Sequence, residues 1–279
     1  MRQFIVRLVL FLFVALVVFG LYRLVTIRPL SRPPFFPEQH AGPLRLADAG
    51  RSATAPPYTL AALQAAQQEG ADGFYLPLWL TRDGQLVAAP SADLAEFTNG
   101  SGRIAQYTAA ELAALDAAYR FDPGGTGTYP WRGRGQRLLT LAEILQAFPE
   151  QRVVADVQAA ELATVAALLQ AVDGQNARGR VLAKVEGQQL VEALRAQAPD
   201  LATAYTEGEA RAFVTAYRLR LTPFYRPAAP ALILPADQLS GRLVRAAHSR
   251  GVEVIAVATE DAQVQPLAAM GVAAVIVGL

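Results

Sequence analysis

The chain has 279 residues, a length that suits one large domain or two small ones, and 53% of them are hydrophobic, enough for a sizeable core. Its 25 Lys and Arg residues against 24 Asp and Glu leave a net charge of +1, so the basic excess of nucleic-acid-binding proteins is missing and no nucleic-acid partner is expected. The absence of cysteine excludes disulfides, thiolate catalysis and cysteine-based zinc sites.

The first 27 residues are the most apolar part of the chain. The run LVLFLFVALVVFGLY is extended by apolar residues on both sides, so residues 4–27 reach the roughly 20 residues that a membrane-spanning helix needs. The alternative is a cleaved signal peptide, but no small-residue cleavage site follows Gly20. We therefore predict an uncleaved transmembrane helix over residues 4–27 that holds a single-pass protein in the cell membrane.

A proline-rich segment, residues 28–43, follows this span. Its sequence RPLSRPPFFPEQHAGP is typical of a stiff, extended tether. The arginines on the two flanks of the span nearly balance, so the positive-inside rule does not fix the orientation, and an extracytoplasmic domain is the expectation. Since the tether shows no pattern of core residues, removal of residues 1–40 is predicted to leave a soluble domain.

The folded domain is predicted over residues 44–279, where strand and helix patterns alternate. Strand candidates are continuous apolar runs, which is typical of a parallel sheet covered by helices. The candidates in chain order are LRLADAG, FYLPLWL, QLVAAP, RVVADV, RVLAKV, LATAYT, ALILP, VEVIAV and AAVIVGL. Only TRDG separates the second run from the third, too short for a parallel crossover, so that pair is predicted to be a hairpin.

Helix signals lie between these runs. Thr59 is placed to cap the first helix, and the pairs Thr108 with Glu111 and Thr140 with Glu143 have the spacing of capping boxes. With the hairpin set aside, eight strand–helix units remain, and they predict a (β/α)₈ TIM-type barrel. A long loop over residues 93–136 interrupts the barrel, and a doubly wound open sheet is the alternative fold.

Six segments then occur in a set order between residues 44 and 158: TLAAL with EGADG, LTRDGQLV, FTNGSGRI, TAAELAALDA, YPWRGRG and TLAEILQAFPE. In this order they resemble the glycerophosphodiester phosphodiesterase family, and GVAAVIVG extends a looser resemblance to the C-terminal half. The resemblance implies a phospholipase-C-like phosphodiesterase barrel of lipid metabolism that hydrolyses glycerophosphodiesters. It also implies two proton-transferring histidines and a Ca²⁺ or Mg²⁺ ion held by carboxylates.

The residues that carry this chemistry in the family are exchanged here. The family's H-R-G motif falls on Asp48, Ala49 and Gly50, its E-N-T motif on Pro57, Tyr58 and Thr59, and its E-x-D ligands on Tyr75 and Pro77. Its H-D pair falls on Pro90 and Ser91, its E-x-K motif on Asp156 and Gln158, and the tryptophan near the penultimate strand on Ala256. Proline offers neither a proton nor a ligand, so no catalytic residue is predicted.

The histidine count supports the same conclusion. The chain has two histidines, His40 in the predicted tether and His248 in a helix that precedes a strand. Sites in barrels of this type lie at the C-terminal ends of the strands, and neither position leads there. A two-histidine proton relay is therefore excluded at the expected site.

Five charged residues remain as candidates for binding at the barrel mouth: Asp48, Asp156, Lys184, Arg132 and Arg134. Asp48 and Asp156 could share a cation or a proton, or they could pair with Lys184 or an arginine. They are the only candidates for a metal, and neither a metal nor a cofactor is predicted. Arg132 and Arg134 match the geometry of a phosphate, although their loop also has the character of a structural element.

Two functions follow from these observations. The first is a membrane-anchored protein of this family that is catalytically inactive and has a binding or structural role, with a small phosphate-containing molecule as its ligand. The alternative is an active phosphoric diester hydrolase of glycerophospholipid metabolism with a rebuilt site. The two differ in whether carboxylates converge at the strand ends within reach of one cation.

Overall fold

The computed structural model describes residues 3, 4, 7, 10–15, 28–38, 40–48, 50, 54–158 and 161–278. Its strands are β1 (Leu44–Asp48), β2 (Gly73–Leu80), β3 (Leu86–Ala88), β4 (Leu139–Thr140), β5 (Arg152–Val157), β6 (Val181–Val185), β7 (Ala202–Thr203), β8 (Ala231–Pro235), β9 (Glu253–Val257) and β10 (Ala274–Gly278). Its helices are α1 (Leu60–Gln68), α2 (Ala109–Ala113), α3 (Leu141–Ala147), α4 (Ala163–Gly174), α5 (Gln188–Gln197), α6 (Glu207–Arg218), α7 (Gly241–His248) and α8 (Val264–Met270).

Eight parallel strands form the barrel. They lie in the order β7-β6-β5-β2-β1-β10-β9-β8. The two ends of this order meet where Ala204 bridges Ala231, and the Tyr205 N–H donates to the Ala231 carbonyl at 2.8 Å. The sheet is thereby closed, so the TIM-type barrel is confirmed and the open doubly wound sheet is excluded.

The helix signals of the sequence act as predicted. The Thr59 side chain accepts from the backbone of the first turn of α1. Both predicted capping boxes are present, at the starts of α2 and α3. A further box, in which Thr206 caps α6 with Glu209, was not among the predictions. These caps satisfy N–H groups that a helix leaves without partners in its first turn.

The predicted hairpin is also present. Strands β2 and β3 pair antiparallel, and Gly84 adopts the left-handed φ of +76° that their tight turn requires. Strand β4 extends this pair through β3. The segment 93–136, expected to be a loop, contains helix α2 and has a small apolar core of its own, to which Leu94, Ile104 and Leu112 contribute.

The interior of the barrel follows the two-residue period of its strands. Leu44 and Leu46 on β1, Val154 on β5 and Leu182 on β6 are buried in one cluster at the barrel centre. Because side chains alternate along a strand, the next inward positions towards the C-terminal ends are two residues further on. The strands therefore bring Asp48, Asp156 and Lys184 to the end of the barrel where the strands finish, called the mouth below.

The opposite end of the barrel, its N-terminal face, is closed by a strap formed by residues 30–36. Phe35 is fully buried and Phe36 is 2% exposed, and both pack in the central cluster. Arg152 Nε donates to the Phe35 carbonyl at 2.7 Å, while the Leu30 N–H donates to the Arg250 carbonyl at 3.1 Å. The expectation that residues 28–43 are a tether outside the domain 44–279 is thus corrected, because two adjacent phenylalanines fill the open end of the barrel.

Most of the predicted transmembrane helix over residues 4–27 lies outside the described residues. Its longest described part, residues 10–15, is helical. Within the described part of the chain, no helix combines the length and the apolar character that a membrane crossing requires.

The strap makes removal of residues 1–40 costly, contrary to the expectation from the sequence. A chain of residues 28–279 should unfold at a higher urea concentration than a chain of residues 41–279, because only the former keeps both rings. Phe35→Ala should lower the free energy of unfolding by about 3–5 kcal/mol. Phe224→Ala, the same change at a ring that is 43% exposed, serves as the control. Equal stability of the two truncated chains would contradict the role of the strap.

Candidate functional site

The centre of the mouth is a buried carboxylate with two partners. Asp156 on β5 is 2% exposed. Its Oδ1 accepts from Lys184 Nζ at 2.7 Å, and its Oδ2 accepts a short hydrogen bond from the Tyr75 hydroxyl. The strand register explains the group, because Lys184 lies directly beside Asp156 on β6 and Tyr75 lies two residues before its β2 partner, Pro77. Each oxygen of the carboxylate therefore accepts one hydrogen bond from a side chain of the protein.

The Tyr75 phenol is held in its neutral form. Burial raises its pKa above the usual range, and the adjacent carboxylate of Asp156 raises it further. A neutral phenol is a hydrogen-bond donor, whereas a phenolate would be a second anion beside the carboxylate. The arrangement thus fixes Tyr75 as a donor to Asp156 rather than as a proton acceptor.

Asp48, at the end of β1, is bound by its own neighbourhood. Its Oδ1 accepts from the Gly50 N–H at 3.1 Å and from the Tyr58 hydroxyl at 2.9 Å. Tyr58 is buried and has a left-handed φ of 54°, which is costly for a residue with a side chain. A Cβ atom on Gly50 would lie 2.0 Å from the Tyr58 hydroxyl oxygen, so the glycine leaves the space that this ring fills.

Proline at position 77 is compatible with an interior strand because of where β1 ends. The pairing of β1 with β2 stops at Asp48 and Tyr75. The Pro77 carbonyl accepts from the Ala89 N–H at 3.2 Å, so its missing N–H would point to that same edge and away from β5. The residue that faces Asp156 in the register therefore presents a ring of carbon atoms and no ligand atom.

The two histidines lie at the other end of the barrel. His40 Nε2 is 3.1 Å from an oxygen of Asp72, the residue before β2. His248, at the end of α7, is 3.5 Å from Glu253, the first residue of β9. Both are at the N-terminal face, as the sequence predicted for His248.

The two candidate arginines belong to the segment before β4. The Arg132 guanidinium lies between the rings of Tyr119 and Tyr129, 4.1 and 3.9 Å from their centroids, and donates to the Tyr119 carbonyl at 2.9 Å. Its donors and its flat faces thus serve the fold of this segment. Arg134 is exposed, and no side-chain partner of it occurs among the described residues. The structure does not bring either arginine into contact with Asp156.

Residues 50–278 match the Glycerophosphoryl diester phosphodiesterase family. The chain belongs to this family. The resemblance seen in the sequence is thereby confirmed at the level of the family, whose members are phosphodiester hydrolases. The exchange of the family's motif residues stays a prediction.

Curated relatives in the family match part of the chain. A glycerophosphodiester phosphodiesterase of Caldanaerobacter subterraneus subsp. tengcongensis is 30% identical over 115 residues, which is 41% of this chain and 44% of the relative. One of Bacillus subtilis is 32% identical over 109 residues, 38% of this chain and 36% of the relative. The matches thus span less than half the length of these relatives.

Solved structures of the family share the whole barrel. The glycerophosphoryl diester phosphodiesterase domain of an uncharacterized Mycobacterium tuberculosis protein has a TM-score of 0.72 at 22% identity, covering 85% of this chain and 96% of that domain. An Oleispira antarctica phosphodiesterase, solved with the product sn-glycerol-3-phosphate, has a TM-score of 0.65 at 22% identity, covering 85% and 93%. At this identity the likeness shows the fold alone.

The divalent cation that the family implies does not fit these residues. Among the described residues, no group of three or more His, Asp and Glu side chains is placed to hold a metal. Asp156 already faces the ammonium of Lys184, and a second cation there would be repelled by it. Hard cations require several oxygen ligands, and Pro77 supplies none from its side chain.

Sequence reasoning missed two hydroxyl groups of this mouth. From the sequence, Tyr75 is identified only as a position of the family's cation ligands and not as a donor to Asp156, and Tyr58 is assigned no contact with Asp48. For Tyr75 a signal was available, since two-residue steps along β2 place it inward beside Asp48. For Tyr58 no such signal exists, because it lies on a connection whose path the periodicity does not fix.

The raised pKa of Tyr75 makes stability fall at alkaline pH. A tyrosine in the unfolded chain ionises near pH 10, whereas the folded Tyr75 phenol is still protonated at that pH. The unfolded state is therefore stabilised relative to the folded state as the pH rises further. Tyr75→Phe should make the decrease of the free energy of unfolding with pH less steep. The slope should change by at most about 1.4 kcal/mol per pH unit, which corresponds to one proton. Unfolding by urea between pH 9 and 11 measures it, with exposed Tyr129→Phe as the control. Identical slopes for both variants would contradict the assigned environment.

We also expect that divalent cations do not stabilise the domain. A ligand at a hundredfold excess over its Kd adds about 2.7 kcal/mol to the free energy of unfolding, which is visible as a higher Tm. Low micromolar Ca²⁺ or Mg²⁺ should leave the Tm where EDTA leaves it. A rise in Tm that disappears in Asp156→Asn would instead establish a cation site at this carboxylate.

Proposed function

We propose that this protein is a membrane-anchored member of the family that does not hydrolyse glycerophosphodiesters, and that its barrel has a binding or structural role. The observation that carries the proposal is the environment of Asp156. Each of its two oxygens accepts a hydrogen bond, from Tyr75 and from Lys184, and the Lys184 ammonium opposes the binding of a cation beside it.

The missing proton carriers support the same proposal. A positioned acid or base contributes about 10²–10⁴-fold to a rate, and hydrolysis of a diester is assisted by a base that takes a proton from the nucleophile and an acid that gives one to the leaving oxygen. Both histidines lie at the N-terminal face, bonded to Asp72 and Glu253. The positions that the family resemblance assigns to its H-D pair hold Pro90 and Ser91, of which Ser91 accepts from the Asp93 N–H.

A cleft beside Lys184 supports a binding role. It has a volume of about 760 Å³ and lies between the mouth and helix α6, and its lining includes Lys184, Arg211 and Arg218 together with Glu186 and Glu207. Lys184 and Arg211 are paired with carboxylates, so Arg218 is the lining cation that makes no ion pair within the described residues. A small phosphate-containing molecule is the proposed ligand class, because a guanidinium group donates to phosphate oxygens. Membrane anchoring is supported by the apolar run of residues 4–27, and the cell membrane with an extracytoplasmic domain is the proposed location.

The alternative is an active phosphoric diester hydrolase with a rebuilt site. Membership of the family favours it, since relatives are named glycerophosphodiester phosphodiesterases. Such a site would need Asp48 and Asp156 to act on one cation. Their partners Tyr58, Tyr75 and Lys184 argue against this.

Release of glycerol phosphate from glycerophosphodiesters, with added Ca²⁺ or Mg²⁺, tests the proposal. The protein should release no more than a sample without protein, while an active member of the family serves as the positive control. Single reversions such as Pro90→His should restore nothing, because residues that act as one unit are strongly non-additive. Metal-dependent turnover that is abolished by Asp156→Ala would establish the rebuilt-site hydrolase instead.

A combined reversion gives a second test of whether the replaced family residues are the cause of the expected lack of hydrolysis. Release of glycerol phosphate should return only when the family residues are restored together. The substitutions are Asp48→His, Ala49→Arg, Pro57→Glu, Tyr75→Glu, Pro77→Asp, Pro90→His, Ser91→Asp and Asp156→Glu.

A further inference from the structure

The connection between α6 and β8 carries an unusual surface for an exposed segment. Leu219, Leu221 and Phe224 lie within six residues and are 63%, 47% and 43% exposed. Arg218, Arg220 and Arg226 alternate with them and are exposed as well. We call the segment 218–226 the basic apolar turn. Apolar side chains interleaved with arginines are typical of surfaces that insert into the headgroup layer of a membrane.

The positive charge of this turn is not balanced locally. The sequence from residue 210 to residue 236 contains four arginines, at positions 211, 218, 220 and 226, and neither aspartate nor glutamate. Within the described part of the chain, Arg211 pairs with Glu207, whereas the three arginines of the turn make no ion pair. Most other arginines that the structure describes in detail are bonded, as Arg152, Arg178 and Arg195 are. The turn therefore presents three cations that make no ion pair within the described residues, of which Arg218, at the end of α6, also lines the cleft beside Lys184.

The backbone of the turn is held in a costly conformation at its centre. Arg220 has a left-handed φ of 57°, and the Leu221 N–H donates to the Ala216 carbonyl at 2.8 Å, which closes the end of α6. Glycine is the residue that this position ordinarily takes, because it has no Cβ atom. Arg220→Gly is therefore a substitution that removes the guanidinium without straining the backbone.

The turn and the strap belong to the same end of the barrel. Connections that follow the helices of a barrel lead to the N-terminal ends of the strands, opposite the mouth. Leu30 to Pro34 of the strap and Ala228 to Pro230 of the connection line one cavity of about 510 Å³. Arg32 also pairs with Glu253 at the start of β9, at 3.0 Å. The strap thus emerges at the face to which the basic apolar turn leads.

The length of the chain then limits how far this face can stand from a membrane. The apolar run ends at Ile27, three residues before Leu30, which is bonded to the barrel. Three residues reach at most about 11 Å. The interfacial layer on each side of the hydrocarbon core is about 5–8 Å thick. A connection of three residues therefore keeps the N-terminal face of the barrel close to the headgroups.

We propose that the barrel docks on anionic phospholipid headgroups with its N-terminal face, through the basic apolar turn, so that the mouth opens away from the membrane. The proposal rests on the proposed anchor over residues 4–27 for its geometry. The arginines contact lipid phosphates, and the three apolar side chains enter the interfacial layer. Each arginine near an anionic surface contributes about fivefold to the partition of a segment.

The absence of cysteine allows a direct test on the full chain. Leu219→Cys and Leu162→Cys are a matched pair, since both leucines are 63% exposed and Leu162 lies at the mouth side, before α4. Each variant is labelled with an environment-sensitive fluorophore and reconstituted in vesicles of phosphatidylcholine and phosphatidylglycerol that contain brominated lipid. The label at position 219 should be quenched at least about twofold more than the label at position 162, because only the former reaches the interfacial layer.

Two further variants assign the contact to the arginines. Arg218→Glu, Arg220→Glu and Arg226→Glu together should reduce the quenching at position 219 to that at position 162. Arg220→Gly should weaken it without destabilising the fold, since glycine suits the left-handed φ. Equal quenching at the two positions, or quenching at 219 that ignores all three charges, overturns the proposal. Flotation of the vesicles tests the anchor separately, so a chain that floats with an unquenched label at 219 retains the anchor and loses the docking.

Discussion

The state of the mouth depends on one buried carboxylate and the two groups that bind it. Loss of one partner of a buried ion pair costs about 3–5 kcal/mol, because the other charge is then left buried without compensation. Lys184 and Tyr75 supply these partners from the two sides, β6 and β2. The same two contacts stabilise the buried carboxylate and bring an ammonium group to the place where a metal ion would have to bind.

Much of the fold could be predicted from local patterns. The runs RVVADV and RVLAKV are apolar throughout because helices cover one face of each strand and the barrel centre the other. The strap could not be predicted in this way. The proline content of residues 28–43 predicts a stiff chain, whereas the burial of Phe35 depends on a cavity formed by strands that are distant in the sequence. The local sequence pattern therefore cannot predict this burial.

The candidate site was predictable to the extent that it lies on strands. Asp156 and Lys184 sit at fixed register positions, so their approach follows from the pairing of β5 with β6. Arg132 lies on an irregular segment, and its two tyrosine neighbours are brought together by turns that no period describes. Asp156 and its partners therefore lie at the mouth of the barrel, and the strap lies at the opposite face.

The closure of the barrel also has a consequence for how the chain folds during synthesis. Strand β1 pairs with β10, and Leu44 lies beside Ala274, so the first strand finds its neighbour only when almost the whole chain has been made. Contacts of such long sequence separation slow folding. Until then β1 has an unpaired edge, and Phe35 and Phe36 have no cavity to fill. The nascent protein therefore exposes an unpaired strand edge and two phenylalanine rings until β10 has been made, and surfaces of this kind favour aggregation.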